Sequence, residues 1–247
     1  MKDDKDLKKI QEAIDSLPED FSILEEQIDV DLQMAYFEMV KELRNNEFDD
    51  SFVEDAKKSL YRDDLSVDDI KQLLVQLAGF DDIQAFRIIE AFHKQSKGEI
   101  KNWAVLALQE SRMVIQSSLL GEQQVFISTG LGGKGQNIRY FVAMTHDEFG
   151  QEFNDTQKKL VESELCFFLE KAEGELEGIN FNGSFALCLF LFPLKQNLHE
   201  TFKLFIDECN QYGNFLNEDV IITNVKKLTV EELNEFITKN KNEGEQD

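Results

Sequence analysis

The spacing of apolar residues changes near residue 121, and that change limits what the chain can fold into more than any other feature. From Phe21 onward, Leu24, Ile28, Leu32, Tyr36, Val40 and Leu43 fall three or four positions apart, which sets them on one face of a helix. Asn45 and Asn46 close that segment, and Asp49 or Asp50 is placed to cap a second helix with the stripe Phe52, Val53, Ala56 and Leu60. Ser66 followed by Asp69 opens a third helix, with Val67, Ile70, Leu73, Leu74 and Leu77 inward and Gly79 as its left-handed stop. Asp81 or Asp82 caps a fourth, carrying Ile83, Phe86, Ile89 and Phe92. A long fifth helix buries Ile100, Trp103, Ala104, Ala107, Leu108 and Val114.

After Gly121 the period becomes two. The segments "QQVFISTG" and "NIRYFVAMTH" alternate as strands do, and "LGGKGQ" between them predicts a hairpin turn. Residues 155–174 return to helical spacing. "GSFALCLFLFPL" is apolar on both faces, as a central strand is. Next come a helix in "NLHETFKLFIDECNQYG", a strand in "EDVIITNV" and a last helix opened by Thr229 with Glu232 three residues on. The order ββαβαβα, with helical crossovers between the later strands, predicts a mixed four-stranded α+β sandwich with parallel, right-handed connections. The expected organisation is thus an α+β multidomain chain. It has a polar segment over 1–20, a helical domain over 21–120, an α+β domain over 121–240 and a disordered tail over 241–247.

Within the helical half, "SVDDIKQLLVQLA" and "GEIKNWAVLALQ" align with each other at an offset of about 30 residues. The stretch "LLVQLAGFDDIQAFRIIEAFHKQSKGEIKNWAVLALQES" resembles the short HEAT-like (armadillo-type) helical repeats. It has their order of a Leu-Ala helix end, an acidic turn, a second helix, a polar link and a helix entered by Ile100 and Lys101, with small Ala104 and Ala107 at close-packing positions. The resemblance covers residues 48–118, is weaker over 21–46 and stops after Leu120; the C-terminal half resembles no family. It implies a scaffold that offers its concave face to another protein, since such repeats mostly bind partners and seldom do chemistry themselves.

Charge narrows the partners. The chain carries 49 Asp and Glu against 26 Lys and Arg, a net charge of −23, and the excess is spread over both halves. Nucleic acid and anionic membrane both ask for a basic patch, so neither is an expected partner. No signal-like or membrane-spanning run is present, and Cys166, Cys188 and Cys209 are widely spaced in apolar sequence as reduced thiols would be. A cytoplasmic protein is expected.

Candidate chemistry is sparse. "STGLGGKGQ" gathers Gly130, Gly132, Gly133 and Lys134, with Arg139 just beyond, as a possible anion site. The loop leads into a strand, however, where a phosphate loop leads into a helix N-terminus, so a plain hairpin is the favoured reading. His93, His146 and His199 each stand alone and read as surface or capping residues. The doubled aspartates at 49, 63, 68 and 81 lack the calcium-loop pattern and precede helices, which suits capping. No catalytic residue, metal site or cofactor is expected. The sequence favours a non-enzymatic interaction or adaptor protein. Alternatives are an enzyme or small-ligand sensor binding an anionic metabolite at the Gly130–Arg139 hairpin, and an acidic inhibitor that mimics nucleic acid.

Overall fold

A computed structural model describes residues 14, 17–18, 21–43, 51–62, 64–122, 124–148 and 150–244. Helix and strand are both extensive, as an α+β chain requires. The residues divide into two compact units, one over 17–128 and one made chiefly of 129–247.

Among its described residues the first unit is helical apart from one strand pair. Strand β1 (Phe21–Ile23) lies parallel to β2 (Val125–Ile127), Phe21 opposite Val125, so the two ends of the unit are joined. Helix α1 (Val30–Leu43) starts at a defined point because the Asp29 carboxylate accepts from the amides of Asp31 at 2.9 Å and Leu32 at 3.3 Å. The helical face expected from Phe21 is therefore corrected: residues 21–23 are extended, and the helix begins after its cap. Helix α2 (Phe52–Ser59) has Ser51 at its N-cap position, while Asp49 and Asp50 lie outside the described residues, as do Asn45 and Asn46.

Helix α3 (Val67–Ala78) opens as the sequence predicts. The Ser66 hydroxyl accepts from the Asp69 amide at 3.1 Å and donates to its carboxylate at 2.6 Å. Gly79, expected to be left-handed, has φ −76° and closes the helix in a right-handed turn. Asp82 caps α4 (Ile83–Gln95), accepting from Gln84 at 2.7 Å. Helix α5 (Gly98–Leu120) ends on a left-handed glycine, Gly121 at φ 69°.

These helices share one core. Leu74, Leu77, Ile89, Ala104, Leu106 and Ala107 are fully buried. Each such leucine or isoleucine contributes ~1.5–3 kcal/mol. Trp103 sits at the middle, its indole donating to the Lys71 carbonyl at 3.1 Å and the Tyr36 ring meeting it edge-on at 5.2 Å. The Tyr36 hydroxyl, buried with its ring, donates to Glu110 at 2.5 Å. Burial and that carboxylate together push its pKa well above the usual phenol value.

The second unit is a five-stranded sheet between helices. Strands β3 (Gly133–Lys134), β4 (Asn137–Thr145), β5 (Glu175–Asn182) and β6 (Phe185–Pro193) run in the spatial order β3-β4-β6-β5, and β7 (Ile221–Thr223) pairs with β4. Helices α6 (Asp155–Lys171) and α7 (Leu198–Asn210) cover the face that presents Val142, Met144, Cys188, Phe190 and Phe192. Helix α8 (Val230–Gly244) covers the other through Leu233, against Phe141, Ala143 and Phe185. The Thr229/Glu232 capping pair forms in both directions, at 2.9 and 3.2 Å.

Three sequence expectations are corrected here. The segment VFI does not form a hairpin with β4 but pairs with β1; the hairpin is the shorter β3–β4 turn at Gly135 and Gln136. The expected mixed sheet of four strands, with parallel connections between the later ones, is an antiparallel sheet of five, because β5 forms a hairpin with β6. Strand β5 escapes a period-two search for a physical reason: a bulge between Leu176 and Gly178 shifts its inward positions from Leu176 to Ile179 and Phe181. Helix α8 also continues to Gly244, into the stretch expected to be tail, while 245–247 lie outside the described residues.

Candidate functional site

The glycine-rich loop was the sequence's one candidate for binding chemistry. Gly130 packs directly on the chain before α8, since a Cβ there would lie 1.8 Å from the Val225 carbonyl oxygen. Leu131 completes that junction, its amide donating to Asn224 O at 3.0 Å. Gly132 (φ 67°) then turns the chain into β3, and Gly135 (φ 60°) turns it back into β4. Gly132, Gly133, Lys134 and Arg139 are thereby gathered at one end of the sheet, while Gly130 serves the packing.

The cations of this loop face carboxylates of β5. The Arg139 guanidinium forks onto Glu177, Nε to Oε2 at 2.6 Å and Nη2 to Oε1 at 2.8 Å, and its Nη1 donates to Leu131 O at 2.9 Å. Both side chains are largely withdrawn from solvent, at 14% and 24% exposure. Lys134 Nζ lies 3.5 Å from Glu175. A bidentate fork is the geometry in which arginine holds a planar carboxylate or a phosphate, and here a carboxylate of the same chain occupies it. Glu175 and Glu177 were not legible as members of this cluster because the strand that carries them was not.

The histidines separate. His146 is buried between Phe153 and Phe215, ring centroids 5.7 and 6.2 Å away, and its Nδ1 accepts from the Glu148 amide at 3.1 Å. It is a core residue, where a surface or capping position was expected. His93 is half-buried in the last turn of α4, and His199 is exposed in the first turn of α7. Among the described residues no three His, Cys, Asp or Glu side chains are gathered as a metal site. Of the aspartate pairs, Asp69 and Asp82 act at helix starts, whereas Asp64 is bound by Arg62, which holds it below the usual carboxylate range. Asp49 and Asp63 are outside the described residues. Cys188 and Cys209 are buried free thiols and Cys166 is half-exposed. Burial pushes Cys188 up strongly and Cys209 up to about 12, with nearby glutamates adding to both.

Among the described residues, surfaces that a ligand or partner could cover occur in both units. In the helical unit, Met34, Tyr61, Val67 and Ile83 are 48–61% exposed, which corrects the inward placement of Val67 and Ile83: each is the first residue of its helix, ahead of the packed turns. In the α+β unit, α7 and the chain entering β7 enclose a cleft of about 280 Å³ with Phe202 and Ile206 at its base. No helix among the described residues is long and apolar enough to cross a membrane. No protein-family model matches the chain, and no curated protein matches it.

Proposed function

We propose that the chain is a non-enzymatic interaction protein whose helical unit is a short HEAT-like repeat offering its surface to a protein partner. The observation that carries this reading is an agreement between burial and sequence offset. Leu74, Val75 and Leu77 of α3 are buried, and so, thirty positions on, are Ala104, Val105 and Ala107 of α5. Helices one hairpin apart that bury the same register are what a stacked repeat needs, because each hairpin covers its neighbour's apolar face. The apolar side chains left exposed on this unit supply contact area, and the charge of −23 favours a partner with a basic surface. Free buried thiols suit a reducing compartment such as the cytoplasm.

The competing reading, an anionic metabolite at the Gly130–Arg139 hairpin, would have to displace Glu177 from Arg139 and Glu175 from Lys134. The test uses full-length chain and targets Tyr61 and Val67, which flank the turn into α3. Wild type is expected to retain a stoichiometric protein partner from its native extract, and Tyr61→Glu/Val67→Glu to lose it with unchanged melting. Retention by the double variant, or the absence of any retained protein, would overturn the proposal.

A further inference from the structure

We infer that the cleft between α7 and β7 binds a short extended segment of a partner protein, acidic at its N-terminal end, apolar in the middle and basic at its C-terminal end. This deepens the interaction reading but concerns a separate surface, wholly within the α+β unit.

The walls of the cleft define the occupant's length. On the helix side, His199, Lys203 and Asp207 recur every four residues and so share one face of α7. From His199 to Asp207 that face extends about 12 Å at the helical rise. The opposite wall, Glu218, Val220 and Ile222, has the period of an extended chain. Between them the floor is apolar, with Phe202 and Ile206 almost fully buried. A gap of this length between a helix and a strand spans about four residues of extended peptide.

Strand β7 supplies the backbone partner. It pairs with β4 through Ile221–Thr223 and, among the described residues, with no other strand. Its other edge therefore has main-chain donors and acceptors to offer, and adding a strand to such an edge beside a helix is a general mode of peptide recognition. Every pairing in this sheet is antiparallel, so the added strand is assigned the same sense relative to β7.

Charge then fixes the ligand's polarity. The Asn210 side chain ties the end of α7 to the chain just before Glu218, accepting from Phe215 N at 3.2 Å and Leu216 N at 2.9 Å and donating to Leu216 O at 2.9 Å. Asp207 and Glu218 thus share one end of the cleft, and Lys203 and His199 lie toward the other. Among the described residues neither Lys203 nor Asp207 is in an ion pair. An antiparallel strand on β7 enters at the Lys203 end and leaves at the Asp207 end. Its first inward side chain meets a cation, its middle one the apolar floor, and its last one two carboxylates.

The probe is a fluorescent peptide with the core Glu-Thr-Ile-Thr-Lys, compared with the reversed core Lys-Thr-Ile-Thr-Glu by polarisation on the full-length protein. The forward peptide is expected to bind at least about tenfold tighter, since each end gains or loses a charge pair. Methylating the central amide nitrogen should abolish binding by removing a ladder hydrogen bond. Lys203→Glu should weaken the forward peptide, and the exchange Lys203→Glu/Asp207→Lys should invert the preference, an outcome that misfolding does not mimic. Equal affinity for the two orders, no binding of either, or a preference unaltered by the exchange would overturn the inference. Tyr61→Glu/Val67→Glu should leave peptide binding intact, so failure here and failure of the helical-surface proposal are read separately.

Discussion

The two units solve the burial problem by opposite means. The helical unit is built from neighbours in sequence, with α3, α4 and α5 laid against one another around small and medium side chains such as Ala78, Ala85, Ala104 and Ala107. The α+β unit is built from distant segments. Its central pair β4 and β6 runs from Asn137 opposite Pro193 to Thr145 opposite Phe185, and its core is crowded with phenylalanines. Close helix packing tolerates little added volume at its small residues, whereas a sheet core depends on strands meeting in register.

The sharpest way to break this contrast is Ala104→Asp. A carboxylate placed at a fully buried helix contact is expected to cost about 4 kcal/mol or more and to unfold the helical unit. Two separate thermal transitions would expose the difference between the units, whereas unchanged melting would refute the packing register of α5. Next in size is Gly130→Ala, where the added methyl meets the Val225 carbonyl and the neighbouring backbone must move. A loss of about 2–3 kcal/mol in denaturant unfolding is expected, in the range of overpacked core sites.

Tyr36→Phe should cost about 1–3 kcal/mol, because a buried hydrogen bond to Glu110 goes while the ring's contacts remain. A neutral result would mean that the Tyr36 hydroxyl is expendable. The smallest effect is chemical. In native protein at neutral pH an alkylating reagent should reach Cys166 first and slowly, since its thiol is raised by Glu170 but half-exposed. Cys188 and Cys209, kept protonated by burial, should react only on unfolding. Early labelling of Cys209 would contradict the packing of α7.

The same contrast governs what could be read from the sequence. Helical packing here is local, so most stripe positions and the caps at Ser66 and Asp82 were legible, although Val67 and Ile83, the first stripe residue of each helix, face solvent. Even so, residues 21–23 were misread, because Phe21 and Leu24 continue a helical spacing across a cap at Asp29 whose effect lies downstream. In the α+β unit the central strand β6 was legible from its two apolar faces, and β5 was not, because its bulge at Leu176 and Gly178 breaks the alternation. Without β5 the later strands read as joined by parallel helical crossovers, so the antiparallel sheet read as a mixed one. Missing β5 also hid the glutamates that pair with Lys134 and Arg139, so the sequence brought the loop's cations into view without their counterions. The cleft was invisible for a related reason: Asp207 and Glu218 come to one end of it only once α7 folds back on the chain leading into β7.

The measurement that tests the interaction reading most directly is hydrogen exchange of the full-length protein with and without the partner it retains. Slowed exchange is predicted in α2, α3 and the turn between them, around Tyr61 and Val67. Unchanged exchange there, with slowing confined to the Gly130–Arg139 hairpin, would contradict it.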